Sequence, residues 1–182
     1  MAVGLAMDKS SRAVSLSRRS FFRGNLGSRK TPPIRPPWSL SEISFLEVCT
    51  GCGDCRRACP ERIIVRGAGA YPEIDFSHGE CTFCTACAEA CKTGALSVKD
   101  NHTLLPWTLE AHIGGDCLSA QGITCRICGD RCEARAIRFQ LAVGGIARPA
   151  IDKAACTGCG ACVAPCPVDT VEIVQSELEE QP

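Results

Sequence analysis

The sequence predicts an α+β chain: two tandem modules of one design, each made of short strands and turns around two blocks of cysteine, behind a basic arm. Three observations carry this. Sixteen of the 182 residues are Cys, and they fall into four blocks of four. Three blocks share the spacing C-x2-C-x2-C-x3-C, and the blocks recur at a regular interval, with 32 residues from Cys59 to Cys91 and 34 from Cys132 to Cys166. Aromatic residues are scarce, six Phe, two Trp and one Tyr, so the core needs other filling, which cofactors bound by the cysteines would supply.

Residues 1–38 form the arm. They hold eight Lys and Arg against one acid, Asp8, whereas residues 39–182 hold twelve against nineteen, so the net charge of zero divides into +7 and −7. A basic segment with Ser and Pro and no hydrophobic periodicity is expected to be disordered in isolation. Two roles are open to it, a solvated leader or a docking arm for an acidic partner or for the acidic body itself. Nucleic acid is not an expected partner, because a folded basic face and an aromatic stacking platform are missing and the body is acidic. Within the arm, SRRSFFRG (Ser17 to Gly24) reads like a twin-arginine export address. The apolar run of roughly 7 to 15 residues that such an address needs does not follow it. Arg29, Lys30, Arg35 and four prolines occupy that window instead, so export is not expected. No stretch approaches the roughly 18 apolar residues of a membrane span.

The first module, residues 39–106, opens on CTGCGDCRRAC, with Cys49, Cys52, Cys55 and Cys59. This is the bacterial ferredoxin run for [4Fe–4S] clusters. Thiolates three apart on a loop curl round a compact cuboid and hold three of its irons, and small residues such as Gly51 and Gly53 let the backbone come close. The fourth cysteine is expected to begin a short helix pointing away, and so to serve the cluster of the paired block. Strand-like runs follow at RIIV (62–65) and YPEIDF (71–76), joined by the turn RGAGA. The second block, Cys81, Cys84, Cys87 and Cys91, precedes ALSV (95–98), the expected closing strand.

The second module, residues 107–175, repeats the plan with one irregularity. Its first block holds Cys117, Cys125, Cys128 and Cys132, and seven residues separate Cys117 from Cys125 where two are expected. AIRFQ (136–140) and RPAID (148–152) read as a hairpin round AVGGIA, and TVEIV (170–174) closes the module after Cys156, Cys159, Cys162 and Cys166. Ile63, Val65, Ile74, Ile137, Ile151 and Val171 are the expected core aliphatics. Pro follows the last cysteine at Pro60 and Pro167, whereas Lys92 and Glu133 replace it in the other two blocks. Residues 176–182 form an acidic tail.

Zinc sites of four cysteines usually come as two C-x2-C pairs across a longer loop, and disulfide frameworks suit secreted mini-proteins. Neither accounts for a third cysteine three residues on. The iron–sulfur reading implies a reducing compartment and, through cross-ligation, four sites. Cys49, Cys52, Cys55 and Cys91 form the first, and Cys81, Cys84, Cys87 and Cys59 the second. Cys117, Cys125, Cys128 and Cys166 form the third, whose longer ligand loop leaves a labile or three-iron cluster open there. Cys156, Cys159, Cys162 and Cys132 form the fourth. About four [4Fe–4S] clusters per chain are therefore expected. His78, His102 and His112 stand in no pattern with a nucleophile, and no G-x-G-x-x-G or P-loop sequence occurs. A substrate-converting enzyme is not expected; one-electron transfer and cluster handling remain.

With the blocks, SRRSFFRG, IRPPWS before the first block, RGAGAYP between the first two and the irregular third block in one order, the chain resembles the NapF family from Ser17 onward. These are ferredoxin-type accessory proteins of periplasmic nitrate reductase systems. The resemblance implies a cytoplasmic protein that contacts the nitrate reductase catalytic subunit in its precursor form, before export. It also implies a part in maturation, supplying or reducing that subunit's iron–sulfur centre. A different class of function, a general low-potential electron carrier between cytoplasmic redox partners, stays open on the residues alone. The odd third block and the basic arm favour the accessory role.

Overall fold

The computed structural model describes residues 32–98, 106–142 and 144–176. The bulk of the arm and most of the acidic tail lie outside the described residues. Residues 34–38, read from composition as the end of the arm, pack on the first module: Pro36 and Pro37 are buried, and Ile34 O accepts a hydrogen bond from Ile74 N at 2.8 Å. Arg35 holds this entry segment in place. Its guanidinium donates to both carboxylate oxygens of Glu42 at 2.7 and 2.9 Å and to Pro72 O at 3.1 Å, and lies 5.0 Å from the ring centroid of Phe45. Bidentate pairing and a π contact use the planar guanidinium in ways Lys could not.

Helix α1 (Glu42–Val48) turns Phe45 into the core, where it is fully buried. Helix α2 (Asp54–Ala58) carries Cys55, and the hairpin β1 (Ile64–Arg66) and β2 (Pro72–Ile74) pairs Ile64 with Ile74 and Arg66 with Pro72. Helix α3 (Ala86–Glu89) carries Cys87. In the second module β3 (Leu109–Ile113) pairs antiparallel with β6 (Val171–Gln175), and β4 (Ile137–Leu141) with β5 (Ala147–Ile151); helix α4 (Ile127–Asp130) carries Cys128. The hairpins fall within a residue or two of the expected runs.

Three details differ from the sequence reading. ALSV is no strand; it makes one bridge, Ser39 with Leu96, because the segment it meets begins with Pro36 and Pro37, which have no N–H to extend a ladder. Ile64 rather than Val65 joins Ile63 in the core. The fourth cysteine does not begin a helix: Cys59 ends α2 as its C-cap, and it is the third cysteine that lies within α2, α3 and α4. A turn explains it. Arg62, Arg135 and Asp169, each three residues after a fourth cysteine, take positive φ, and each N–H returns to that cysteine's carbonyl oxygen at 3.0 to 3.4 Å. The chain thus reverses straight into the buried pairs Ile63–Ile64 and Ala136–Ile137.

Candidate metal centres

Each regular block wraps by placing two residues in the left-handed region, one after the first cysteine pair begins and one after it ends. Gly51 and Gly53 do this in the first block and Gly158 and Gly160 in the fourth, as expected of glycine; Phe83 (φ 53°) and Thr85 (φ 64°) do it in the second. Left-handed backbone at a non-glycine residue costs roughly 1–2 kcal/mol, so the second block holds its loop against strain. Thr85 Oγ recovers part of that through a 2.6 Å hydrogen bond with Glu89.

The loops gather the cysteines by fours. Cys81, Cys84 and Cys87 line a cavity of about 340 Å³ together with Cys59 from the first block, with Trp38, Ile63 and Ile64 among the apolar walls. A second cavity of about 340 Å³ is lined by Cys117, Cys125 and Cys128 together with Cys166, beside Phe139 and Val171. Both quartets draw the fourth thiol from the neighbouring block. The thiols whose charges act on Cys55 are those of Cys49, Cys52 and Cys91. Cys162 is buried in one apolar cluster against which Cys132, Cys156 and Cys166 all pack.

Chemistry fits the same group. All sixteen cysteines are free thiols. Among the described residues no three or more His, Cys, Asp or Glu converge closely enough to hold one metal ion. Four thiols spread around a cavity suit a polynuclear cluster, whereas a tetrahedral ion would need them drawn together. Backbone N–H groups point at three of the sulfurs, Leu96 to Cys91 at 3.4 Å, Ala111 to Cys156 at 3.4 Å and Ala136 to Cys132 at 3.3 Å. Such hydrogen bonds favour thiolate and help to set a cluster's potential. At Cys91 they overcome burial, which acts the other way: the N–H of Leu96 and the groups of Thr93 and Gly94 hold its thiol below the ordinary range. Burial pushes the other interior thiols up, Cys55, Cys81 and Cys128 to about 11 and Cys87 and Cys162 to about 12.

The irregular third block is closed rather than open. Gln121 N returns to Cys117 O at 3.1 Å, Ile123 N to Leu118 O at 2.9 Å, Gly122 takes φ +87°, and the buried Ser119 hydroxyl donates to Ala147 O. These contacts bury Cys117 and present its thiol to the same cavity as Cys125 and Cys128. Sequence reasoning missed Ser119 and the Ala111 N–H, since neither belongs to a spacing pattern. Cys52 is exposed and opens on a cleft of about 580 Å³ lined by Arg56, Arg57 and Arg66. No helix among the described residues is long and apolar enough to cross a membrane.

Two family models match this chain, both described as a 4Fe-4S dicluster domain, over residues 48–96 and 123–170. The first match contains all eight cysteines of its module; the second begins beyond Cys117, where the spacing departs from the common run. A ferredoxin-type protein NapF of Escherichia coli (strain K12) is 43% identical over 158 residues, which cover 87% of this chain and 94% of that protein. A ferredoxin-type protein NapF of Haemophilus influenzae is 42% identical over 166 residues, covering 86% and 93%. A methylamine utilization ferredoxin-type protein MauM of Methylorubrum extorquens is 36% identical over 153 residues, covering 73% and 67%. With two dicluster domains in tandem and this identity over most of its length, the chain belongs to the NapF family of ferredoxin-type iron–sulfur proteins.

Proposed function

We propose that this protein is a cytoplasmic accessory factor that binds the catalytic subunit of a periplasmic nitrate reductase in its precursor form and supplies or reduces that subunit's iron–sulfur centre. It converts no substrate of its own. Cys49, Cys52, Cys55 and Cys91 hold one [4Fe–4S] cluster, Cys81, Cys84, Cys87 and Cys59 a second, Cys117, Cys125, Cys128 and Cys166 a third, and Cys156, Cys159, Cys162 and Cys132 a fourth. Each cluster stores one electron when bound, and the chain's part is to set its potential and reach. The observation that carries the ligation is that two cavities are each lined by one cross-block quartet. Membership of the NapF family supports the choice of partner. The arginine-lined cleft beside the exposed Cys52 suits an acidic surface brought close to the first cluster.

A tagged chain, purified anaerobically from cells that make the catalytic subunit, tests this reading. Precursor subunit should co-purify in preference to the exported, mature form. Equal recovery of both forms, or of neither, with undiminished reduction of unrelated acceptors, contradicts it. That outcome favours the second reading, a low-potential carrier between cytoplasmic redox partners, which the close approach of the two modules at Cys81 and Cys159 supports.

A further inference from the structure

The two modules meet through particular blocks. Cys81 N donates to Cys159 O at 2.8 Å, so the backbone of the second block touches that of the fourth. Trp107 clamps the contact: its indole Nε1 donates to Thr157 O at 2.9 Å, and its ring stands edge-on to Phe76 at 6.0 Å and to Phe83 at 5.8 Å. Two glycines allow the fit. A Cβ on Gly160 would lie 2.0 Å from the Phe76 ring, and one on Gly158 would lie 2.6 Å from Leu109. Val163 and Ile173 pack against the apolar clusters of both modules.

Inside each module the remaining neighbours are equally definite. Cys55 and Cys87 are buried in one apolar cluster, Cys128 and Cys162 in the other. The first block therefore adjoins the second, the second adjoins the fourth, and the fourth adjoins the third. Order in space departs from order along the chain.

We propose that electrons cross between the modules from the site of the second block to that of the fourth, in the spatial order first, second, fourth, third, and that Trp107 is the positioning residue of this crossing. The inference rests on the ligation proposed above. Cys81, Cys84, Cys87 and Cys59 would hold the group that gives up one electron and is oxidised, and Cys156, Cys159, Cys162 and Cys132 the group that accepts it and is reduced; no bond would form or break and no proton would move. A one-electron donor at one end and the partner's iron–sulfur centre at the other complete the balance. Because tunnelling falls steeply with distance, a contact that seats one ligand loop on the other matters more than the sequence separation between the loops. Block composition agrees: Arg56, Arg57, Arg126 and Arg131 lie within the first and third blocks, while the second and fourth carry no arginine between their first and last cysteines. The joined blocks lack the strong cations that a docking end would present to an acidic partner.

The test uses the full chain, purified anaerobically with iron and sulfide counted, as wild type, Trp107→Phe and Trp107→Ala. After dithionite reduction, spin resonance should show interaction broadening in the wild type that persists in the Phe variant and narrows in the Ala variant at unchanged iron content. Hydrogen exchange read by mass spectrometry on a peptide spanning Cys81 should be slow in the wild-type holoprotein and about tenfold faster in Trp107→Ala, the factor that one ordinary hydrogen bond represents. An Ala variant with full iron and an unaltered spectrum overturns the crossing. If that variant loses iron, the wild-type protein alone decides, because rapid exchange at Cys81 means that the two blocks do not touch. Wild-type iron well short of four clusters sinks the ligation and the crossing with it, whereas full iron with rapid Cys81 exchange sinks the crossing alone.

Discussion

Phe83 and Thr85 stand where the first and fourth blocks have glycine, and all six residues share positive φ. The loop's requirement is therefore conformational, and the surroundings decide what a side chain costs there. At Gly53 a Cβ would find only the flexible end of Arg57 at 3.5 Å, whereas at Gly160 it would collide with the Phe76 ring. Gly53→Ala should cost about 1–2 kcal/mol, the price of left-handed backbone alone, and Gly160→Ala clearly more. Anaerobic thermal unfolding of the two holoproteins ranks them; equal losses would mean that the Phe76 contact is not formed. The buried thiols give a second expectation. Burial pushes the thiols of Cys55, Cys81 and Cys128 up to about 11 and those of Cys87 and Cys162 up to about 12, above the ordinary thiol range, so metal must displace their protons. Cluster assembly into the metal-free chain should go further near pH 9 than near pH 7. For the same reason, any residual stability of the metal-free fold is present below pH 9 and is lost as pH rises from there through about 11 to 12. Assembly yields that do not change with pH contradict this account of the interior.

Among the elements, the hairpins were legible because β-branched alternation around RGAGA and AVGGIA is a local signal, and local pairing realises it. Strand β3 was not. Leu109, Glu110 and Ala111 are helix formers, and only partnership with β6 over five register pairs makes this segment extended. Helix α1 was likewise unassigned, since a seven-residue helix fixed by Arg35 and by burial of Phe45 depends on residues beyond its own span. The quartets could be read from cysteine spacing, but the junction at Trp107 could not, because contacts between modules leave no period in a sequence. The third block joins both lessons: its spacing announced an irregular ligand, and only the structure reveals the closed turn around Ser119. That turn buries Cys117, and the longer loop costs under about 1 kcal/mol more to close, so the loop does not set the third site apart. Access by oxidants is the stronger effect, and the cysteines that stand exposed are Cys52 and Cys84, one in each block of the first module. Stepwise exposure to air should therefore remove signal from the first module first; first loss from the third site would contradict this.

At the scale of the whole molecule, charge and ligation make separable claims. Residues 34–38 pack on the body, so the portion of the arm that can be removed without disturbing the first module ends before Pro33. Deleting residues 1–31, which hold seven Lys and Arg against Asp8, should leave iron content unchanged. It should weaken association with the acidic partner at 0.1 M salt more than at 1 M, as the Debye length falls from about 10 Å to about 3 Å. Undiminished binding at both concentrations would reduce the arm to a solvated leader. The central claim is cross-ligation of four clusters, and iron with acid-labile sulfide per chain, compared between wild type and Cys91→Ser after anaerobic purification, tests it most directly. The account predicts about sixteen of each in the wild type and a loss of about one cluster in the variant, that of Cys49, Cys52 and Cys55, with the site of Cys81, Cys84 and Cys87 retained. Stoichiometric zinc with little iron, or loss from the site of Cys81, Cys84 and Cys87 in place of its neighbour, would contradict it.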